Sequence, residues 1–184
     1  MSKRALIPIA DGTEELEAVT LIDLLRRAGV EVTVASLTGV AATCSRGVIL
    51  VPDCSLDTAL EKSYDAVILP GGLPGADYLA ADERLQGLLR TMHAEKRIIG
   101  AICAGPKALI QAGVLEGRKA TSFPGVLEAG GHGPGLDQAV VRDGHVFTSR
   151  GPGTAMDFAL ALIEALLGAE KRQEVEAPLQ RYPG

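Results

Sequence analysis

Short, uninterrupted apolar runs alternate along this chain with stretches of helical periodicity. Runs of strand length lie at 5–9, 30–35, 48–51, 66–69, 98–102 and 146–149, and helix-period stretches lie at 14–28, 83–95, 106–111 and 154–167. Strands without polar alternation are typical of a parallel sheet that helices cover on both faces. The pattern therefore predicts an α/β sandwich. Ligands of such sheets bind beyond the carboxyl ends of the strands, where loops 10–13 and 70–75 and the turn after residue 102 lie.

Smaller signals complete the expected outline. The segment 123–135 is rich in glycine and proline, which predicts a surface excursion. Asp143 and Gly144 predict a hairpin turn ahead of the last strand. Thr154 and Asp157 have the spacing of a capping box for the final helix. The chain turns polar beyond residue 168, so we expect this tail to fold back or fray.

Length and charge narrow the class of protein. The 184 residues, 47% of them hydrophobic, are expected to form one compact domain over 1–184. The formal charge of −5 disfavours an extended nucleic-acid surface, and the chain contains no run of Lys or Arg that would favour a membrane surface. The first apolar run stops at Asp11, too short for a signal peptide or a membrane span. We therefore expect a soluble, cytoplasmic protein.

The cysteine content supports the same compartment. Cys44, Cys54 and Cys103 make an odd number without a CxxC pair, so neither a disulfide framework nor a zinc site is indicated. A reducing cytosol fits this usage. Cys44 and Cys54 are interpreted as ordinary core or interface thiols.

Cys103 stands at the most informative position. The apolar run at 97–102 leads into Ala104-Gly105-Pro106 and a helical stretch, which predicts a sharp strand-to-helix turn, a nucleophile elbow. The small residues Ala101, Ala104 and Gly105 suit its crowded backbone. A helix N-terminus facing the thiol would lower its pKa, making it a nucleophile and a peroxide target. The alternative is an inert core cysteine, although packing alone does not require Ala-Gly-Pro directly afterwards.

Glu17 is the second candidate. On a helix that begins near residue 14 it shares a stripe with Leu21, Leu24 and Ala28, which places a carboxyl on the buried face. Such a group is costly unless protonated or paired. A protonated Glu17 near Cys103 could donate a hydrogen bond to a thiolate and later exchange a proton with substrate. The alternative is an exposed first-turn acid, as expected for Glu14 and Glu15, and spacing leaves both interpretations open.

The loop 70–75 and the histidines decide what other chemistry is indicated. The loop follows a strand and could aim backbone amides at an anion or an oxyanion, or be a tight turn without a ligand. Its adjacent glycines, Gly71 and Gly72, lack the GxGxxG spacing, and the chain has no GxxxxGK[ST] motif. No histidine is placed by sequence beside Cys103, so a Cys-His hydrolase is not established. The three histidines are His93, His132 and His145.

Several motifs together resemble one superfamily. Four segments closely resemble the ThiJ/PfpI superfamily, and within it the parkinsonism-associated deglycase subfamily: Ala101-Ile102-Cys103-Ala104-Gly105-Pro106, Leu69-Pro70-Gly71-Gly72, Thr43-Cys44-Ser45-Arg46 and Thr148-Ser149-Arg150-Gly151-Pro152-Gly153-Thr154. The likeness extends from Lys3 to Leu179. It implies a flavodoxin-like three-layer α/β sandwich with a mostly parallel central sheet, assembled as a homodimer.

The resemblance also implies roles for individual residues. Cys103 corresponds to the oxidisable nucleophile and Glu17 to its protonated partner, and the amides of Gly72 and Ala104 correspond to an oxyanion site. Substrate-binding positions are implied as well. These are Arg46, Arg27 and Gly71, with Arg27 reaching across from a second subunit. The alternative for both arginines is a solvated surface cation.

Two positions depart from relatives. Ala104 stands where protease-like or hydratase-like members carry histidine or another functional residue, which argues against a peptidase. Phe123 stands where close eukaryotic relatives carry a histidine. Because phenylalanine cannot transfer a proton, any turnover relies on Glu17, water or the substrate and could be slow.

Two function hypotheses follow from the same reactive thiol. In the first, Cys103 attacks a small dicarbonyl such as methylglyoxal, or its early adduct with an amine or thiol, as a deglycase or glyoxalase without a metal or cofactor. In the second, the protein is a redox-sensing stress chaperone in which peroxide converts Cys103 to sulfinate. A thiamine-related role, suggested by the superfamily's older name, has no residue-level support.

Overall fold

The computed structural model describes residues 2–182. Its strands are β1 (Arg4–Ile9), β2 (Glu31–Ser36), β3 (Ala42–Thr43), β4 (Ile49–Leu50), β5 (Cys54–Ser55), β6 (Ala66–Leu69), β7 (Ile98–Ile102), β8 (Val140–Asp143) and β9 (Val146–Ser149). Its helices are α1 (Glu15–Arg27), α2 (Leu56–Leu60), α3 (Gly75–Ala81), α4 (Glu83–Ala94), α5 (Pro106–Gln111), α6 (Val126–Ala129), α7 (Ala155–Leu167) and α8 (Ala169–Glu176). Two 3₁₀ turns lie at Pro152–Thr154 and Ala177–Leu179.

The central sheet has seven strands in the order β5-β2-β1-β6-β7-β9-β8. Neighbouring strands are parallel except for β8, which forms an antiparallel hairpin with β9. This confirms the predicted mostly parallel α/β sheet. The strand order reverses between β1 and β6, and in such sheets a crevice opens there beyond the carboxyl ends.

Helices cover both faces of the sheet, which makes the three layers. Side chains of successive strand residues point to opposite faces. Ile7 and Ile68 therefore pack with Leu21 on the side of α1 and α7, whereas Leu6 and Leu69 pack on the side of α2 to α5. Full burial of each such side chain contributes about 1.5–3 kcal/mol. Both faces need apolar residues, so the strands lack polar alternation.

The apolar run 48–51 does not join the central sheet, so its interpretation as a core strand is wrong. Its residues 49 and 50 pair with β3 in a separate two-stranded antiparallel ribbon. Ile49 is 65% exposed and Val51 is 79% exposed. Gly47, with φ 89°, and Pro52 bound the run and confine its pairing to two residues. A short apolar run indicates residues that favour burial, but it does not indicate whether the core of the same chain or another surface buries them.

The predicted capping box of the last long helix is also wrong. The Thr154 hydroxyl accepts a hydrogen bond from the Gly151 N–H (3.2 Å) and lies 2.6 Å from the Ser149 hydroxyl. It makes no side-chain cap to α7. The 3₁₀ turn before α7 directs the hydroxyl back toward the preceding loop, where it orders the segment after β9.

Polar segments at the surface behaved as expected, with more order than the sequence revealed. The predicted excursion at 123–135 is largely exposed but includes α6, held by the buried Leu127. The tail folds back as α8, which packs on α7 through the buried Val175. Helix α3, of seven residues, was not predicted. Within residues 2–182, every helix is too short or too polar to cross a membrane.

Candidate active site

Backbone hydrogen bonds connect the loops at the carboxyl edge of the sheet to one another. The N–H of Glu14, after β1, donates to the carbonyl of Gly71, after β6, at 2.9 Å. The N–H of Ser45, in the ribbon, donates to the carbonyl of Thr13 at 2.9 Å. The loops after β1 and β6 and the ribbon therefore form one rigid rim around the end of β7.

Cys103 is the first residue after β7 and has φ 62°. Such a left-handed conformation costs a non-glycine residue about 1–2 kcal/mol. Backbone hydrogen bonds to neighbouring segments of the chain stabilise this conformation. The Cys103 N–H donates to the Ser149 carbonyl, and the Cys103 carbonyl accepts from the Phe123 N–H, both at 2.9 Å. Its side chain is nearly buried, with 9% of the residue exposed. The predicted sharp turn at this residue is confirmed.

The small residues around the turn are required by space. A Cβ atom added at Gly105 would lie 2.7 Å from the carbonyl oxygen of Leu69 and 2.9 Å from that of Ile102. One added at Gly71 would lie 2.7 Å from Cys103 Cβ and 2.9 Å from Glu17 Oε2. The absence of a side chain at Gly71 therefore allows the thiol and the carboxyl to approach.

Glu17 lies on α1 with no exposed surface, so of the two interpretations left open by the sequence, the buried one is correct. Its Oε2 atom accepts a hydrogen bond from the Gly71 N–H at 2.7 Å. Its Oε1 atom is buried and has no hydrogen-bond partner of normal geometry among residues 2–182. An ionised carboxylate would leave this oxygen without a donor, a costly arrangement. A proton on Oε1 removes that cost and supplies an O–H donor.

The pKa of Glu17 agrees with that geometry. Burial raises it from 4.5 to about 7, opposed by hydrogen bonds from Gly71 and the Cys103 side chain and assisted by the charge of Glu14. Glu17 therefore carries its proton well into the pH range where an ordinary glutamate is ionised.

The pKa of the Cys103 thiol is raised, whereas the sequence predicted that it would be lowered. Burial, followed by the negative charge of Glu17 and its hydrogen bond, raises the pKa of Cys103 to about 12. The N–H groups of Ala104 and Gly72 act against this and lower it. The predicted low pKa of Cys103 is therefore wrong, because burial, the largest cause, acts whether or not Glu17 is ionised. With the proton on Glu17 the repulsion disappears and the carboxyl can donate to sulfur, so the two groups compete for one proton.

Gly71 and Gly72, the two glycines after β6, contact both Glu17 and Cys103 through their backbone N–H groups. Gly71 binds Glu17 through its N–H, and its carbonyl accepts from Glu14, so both backbone groups are occupied inside the protein. Its contact with substrate stays a prediction. Gly72, with φ 89°, turns its own N–H toward the Cys103 sulfur. The adjacent Ala104 N–H faces the same sulfur.

The two predicted arginines lie at different distances from this centre. Arg46 is exposed on the ribbon, and its backbone N–H donates to Glu15 Oε1 at 2.8 Å, beside the start of α1. Arg27 ends α1, about 15 Å along the helix from Glu17 at 1.5 Å per residue. Its side chain forms an ion pair with Asp23 at 3.0 Å. Within one chain, the structure therefore does not bring Arg27 to Cys103.

The histidines lie away from the thiol, as the sequence indicated. His145 precedes β9 at the amino edge of the sheet, about 16 Å along the strands from Cys103. His145 Nε2 lies 3.1 Å from His93 Nδ1, and His132 Nε2 lies 3.0 Å from the Arg118 carbonyl oxygen. At the position of the relatives' histidine, Phe123 is 51% exposed beside Cys103.

Glu15 was expected to be a solvated acid, but it is 8% exposed and holds the ribbon against α1. It accepts hydrogen bonds from the Ser45 hydroxyl (2.9 Å) and the Arg46 N–H (2.8 Å). Burial alone would raise its pKa, but these hydrogen bonds and one from Val48 hold it below the ordinary value. Its hydrogen-bond donors lie some 30 residues away in sequence, so no local pattern revealed this role. Residues 2–182 contain no group of three or more His, Cys, Asp or Glu arranged to hold a metal.

The topology and the elbow define a class, that of flavodoxin-like α/β proteins whose cysteine follows a central strand. The sequence profile of the DJ-1/PfpI family matches residues 3–165. The chain belongs to the DJ-1/PfpI family, as the resemblance of its motifs predicted.

Named relatives and a solved structure cover nearly the whole chain. The Danio rerio protein called Parkinson disease protein 7 homolog is 46% identical over 182 residues, 96% of each chain. A Caenorhabditis elegans protein called glutathione-independent glyoxalase DJR-1.2 is 38% identical over 176 residues, 95% of this chain and 93% of the relative. The crystal structure of Drosophila melanogaster DJ-1beta superimposes with a TM-score of 0.94 at 43% identity and covers 100% of both chains.

Proposed function

We propose that this chain is a cysteine-dependent, cofactor-independent enzyme that acts on methylglyoxal or its early adducts, as a glyoxalase or deglycase with a role in oxidative stress. One observation carries the proposal: the Gly71-Gly72 turn holds a buried carboxyl with one N–H and faces the sulfur of Cys103 with the next. A nucleophile, a proton carrier and two amides thus meet at one point. The relative named as a glutathione-independent glyoxalase supports the same chemistry.

The first step forms a carbon–sulfur bond. When Glu17 holds the shared proton of the pair, Cys103 is a thiolate, which adds to the aldehyde carbon of methylglyoxal while the carbonyl electron pair moves to oxygen. The N–H groups of Gly72 and Ala104 stabilise this negative charge. Glu17 donates its proton to the oxygen, which leaves a neutral hemithioacetal and a carboxylate.

The second step rearranges the adduct without a net change in oxidation state. The Glu17 carboxylate removes the proton from the former aldehyde carbon and returns a proton to the former ketone carbon, while the hydroxyl proton passes to the former ketone oxygen, giving a lactoyl thioester. Water then cleaves the carbon–sulfur bond, which releases lactate and restores Cys103. With an amine adduct, Cys103 displaces the amine before the same rearrangement. Glu17 alone transfers the protons in this chain, because Phe123 stands where close eukaryotic relatives carry a histidine and phenylalanine cannot transfer a proton.

The test is whether lactate forms catalytically. Purified protein incubated with methylglyoxal at pH 7.5 should release many equivalents of lactate per chain, measured by proton NMR against heat-denatured protein. Release of less than one equivalent would contradict the enzyme proposal. In that case a gain of about 32 Da confined to Cys103 after peroxide treatment would support the redox-sensing alternative, in which the amides of Gly72 and Ala104 bind the sulfinate oxygens.

We also propose a homodimer, because apolar side chains form an exposed surface on α1 and the ribbon. Leu16 and Val19 of α1 are 52% and 45% exposed, and Val48, Ile49 and Val51 of the ribbon are 46%, 65% and 79% exposed. Val19 and Val51 line the same groove. Soluble monomers rarely expose contiguous patches of this kind. In a dimer formed through this surface, Arg27 at the end of α1 could reach the Cys103 site of the other subunit.

Sedimentation measures the dimer directly. The wild-type chain should sediment at twice its 19.1 kDa, and Ile49→Lys should shift it to the monomer because a charge would be desolvated at the interface. Leu136→Lys, at a 38% exposed apolar residue outside the patch, should leave the dimer intact. A wild-type monomer at micromolar concentration would refute the proposal.

We further propose one folding unit over 1–184, since both cores share one sheet, and a cytoplasmic location, since all three cysteines are free.

A further inference from the structure

A cavity of about 450 Å³ lies at the same sheet edge as Cys103, beyond the ends of β1 and β2. Its lining includes Asp11, Thr38, Val40, Ala42, Tyr78 and Asp82. Tyr78 is 50% exposed and Val40 is 66% exposed. The mechanism proposed above uses none of these side chains. The cavity therefore offers apolar walls and an aromatic face with carboxylates beside them.

The charge of the cavity is negative. Asp82 is paired with Arg84, which also pairs with Asp57 at 2.9 Å, so one guanidinium serves two carboxylates. Asp11 Oδ1 accepts a hydrogen bond from the Thr43 N–H at 2.8 Å. Among residues 2–182, no Lys or Arg side chain forms an ion pair with Asp11. Its charge is therefore available to a cation entering the cavity.

The distance between the cavity and Cys103 suits a polypeptide. Strand β6 separates β1 from β7, so Asp11 and Cys103 follow strands two positions apart, about 10 Å at 4.8 Å per strand. Leu37, after β2, is about 14 Å away by the same spacing. In an extended peptide, side chains on one face recur about every 7 Å, and the fourth residue lies about 13 Å away.

We propose that this cavity is a subsite for a lysine or arginine side chain of a polypeptide substrate, two to four residues from the modified side chain bound at Cys103. An aliphatic stem packs along Val40 and Ala42, and the cationic end meets Asp11 and the face of Tyr78. The inference rests on the proposed function. It selects glycated peptides and proteins over free methylglyoxal as the preferred substrate class.

Binding to the Cys103→Ala protein tests the subsite without turnover. The probes are fluorescent nonapeptides with a central Nε-pyruvoyl-lysine, a stable mimic of the methylglyoxal adduct, and lysine or norleucine four residues away. Fluorescence anisotropy should show about threefold to tenfold tighter binding of the lysine peptide at low salt. Asp11→Asn, which can keep the bond from Thr43, and Tyr78→Leu should each remove most of this preference. Asp77→Asn, which removes the same charge outside the cavity lining, should retain it.

Each other outcome overturns the subsite. Equal affinity for the two peptides, undetectable binding of both, or an equal effect of Asp77→Asn and Asp11→Asn would refute it. The measurement is separate from the proposed catalysis. Lactate formation without peptide discrimination would refute the subsite alone, whereas discrimination without lactate formation would refute the enzyme and retain a peptide site.

Discussion

Cys103→Ala should lower the rate of lactate formation from methylglyoxal at least about 1000-fold, because the carbon–sulfur bond cannot form without the thiol. Alanine has the same backbone restriction as cysteine at φ 62° and fits the same volume without the sulfur. The fold should therefore persist while turnover is lost. Initial rates of lactate formation under saturating methylglyoxal provide the measurement.

A second cysteine provides the matched control. Cys44 is also buried, and burial together with the charges of Glu15, Glu14 and Asp11 raises its pKa to about 11. Unlike Cys103, it has within residues 2–182 no amide N–H groups that lower its pKa and no hydrogen bond to Glu17, so Cys44→Ala should keep a rate within about threefold of wild type. If Cys103→Ala retained the wild-type rate, the catalytic assignment would be refuted.

The second large effect is a pH-dependent change in stability caused by Glu17. Its pKa is about 7 in the folded protein against an ordinary value of 4.5. Between these values the native state binds the proton and the unfolded chain has lost it. The free energy of unfolding therefore falls as pH rises through this window, by about 3 kcal/mol at 1.36 kcal/mol per pKa unit. Above pH 7 both states are ionised and the contribution is constant.

Glu17→Gln should remove this loss, because glutamine imitates the protonated acid and can still accept from Gly71. Urea denaturation of the two proteins, both carrying Cys103→Ala so that no thiolate competes for the proton, should show the glutamine variant gaining about 3 kcal/mol on its parent from pH 4.5 to 8. Glu15→Gln is the contrasting control. The pKa of Glu15 is lowered, so its carboxylate stabilises the fold above its unfolded pKa, and that contribution is lost as pH falls. A stability difference for Glu17→Gln that did not change with pH would contradict a buried, proton-bearing carboxyl.

Local patterns predicted the parts of this protein that depend on neighbours in sequence. The elbow at Cys103 followed from the small residues after an apolar strand, whereas the helical stripe of Glu17 offered burial as one of two open interpretations. The exposed ribbon at 48–51 was misinterpreted because four apolar residues look alike in a core and at an outer surface. The hydrogen bonds of Glu15 were missed because its partners at Ser45 and Arg46 are distant in the chain.

The sequence by itself determined the alternation of buried strands and helices, the sharp turn at residue 103 and the family to which the chain belongs. Each of these depends on residue size, periodicity and motif, which are properties of short segments. The tertiary structure alone decided the ionisation of the site. The pKa of Cys103 depends on how far the thiol is buried, on the charge of Glu17 and on two amides from different loops, and those distances exist only after β1, β6 and β7 lie side by side.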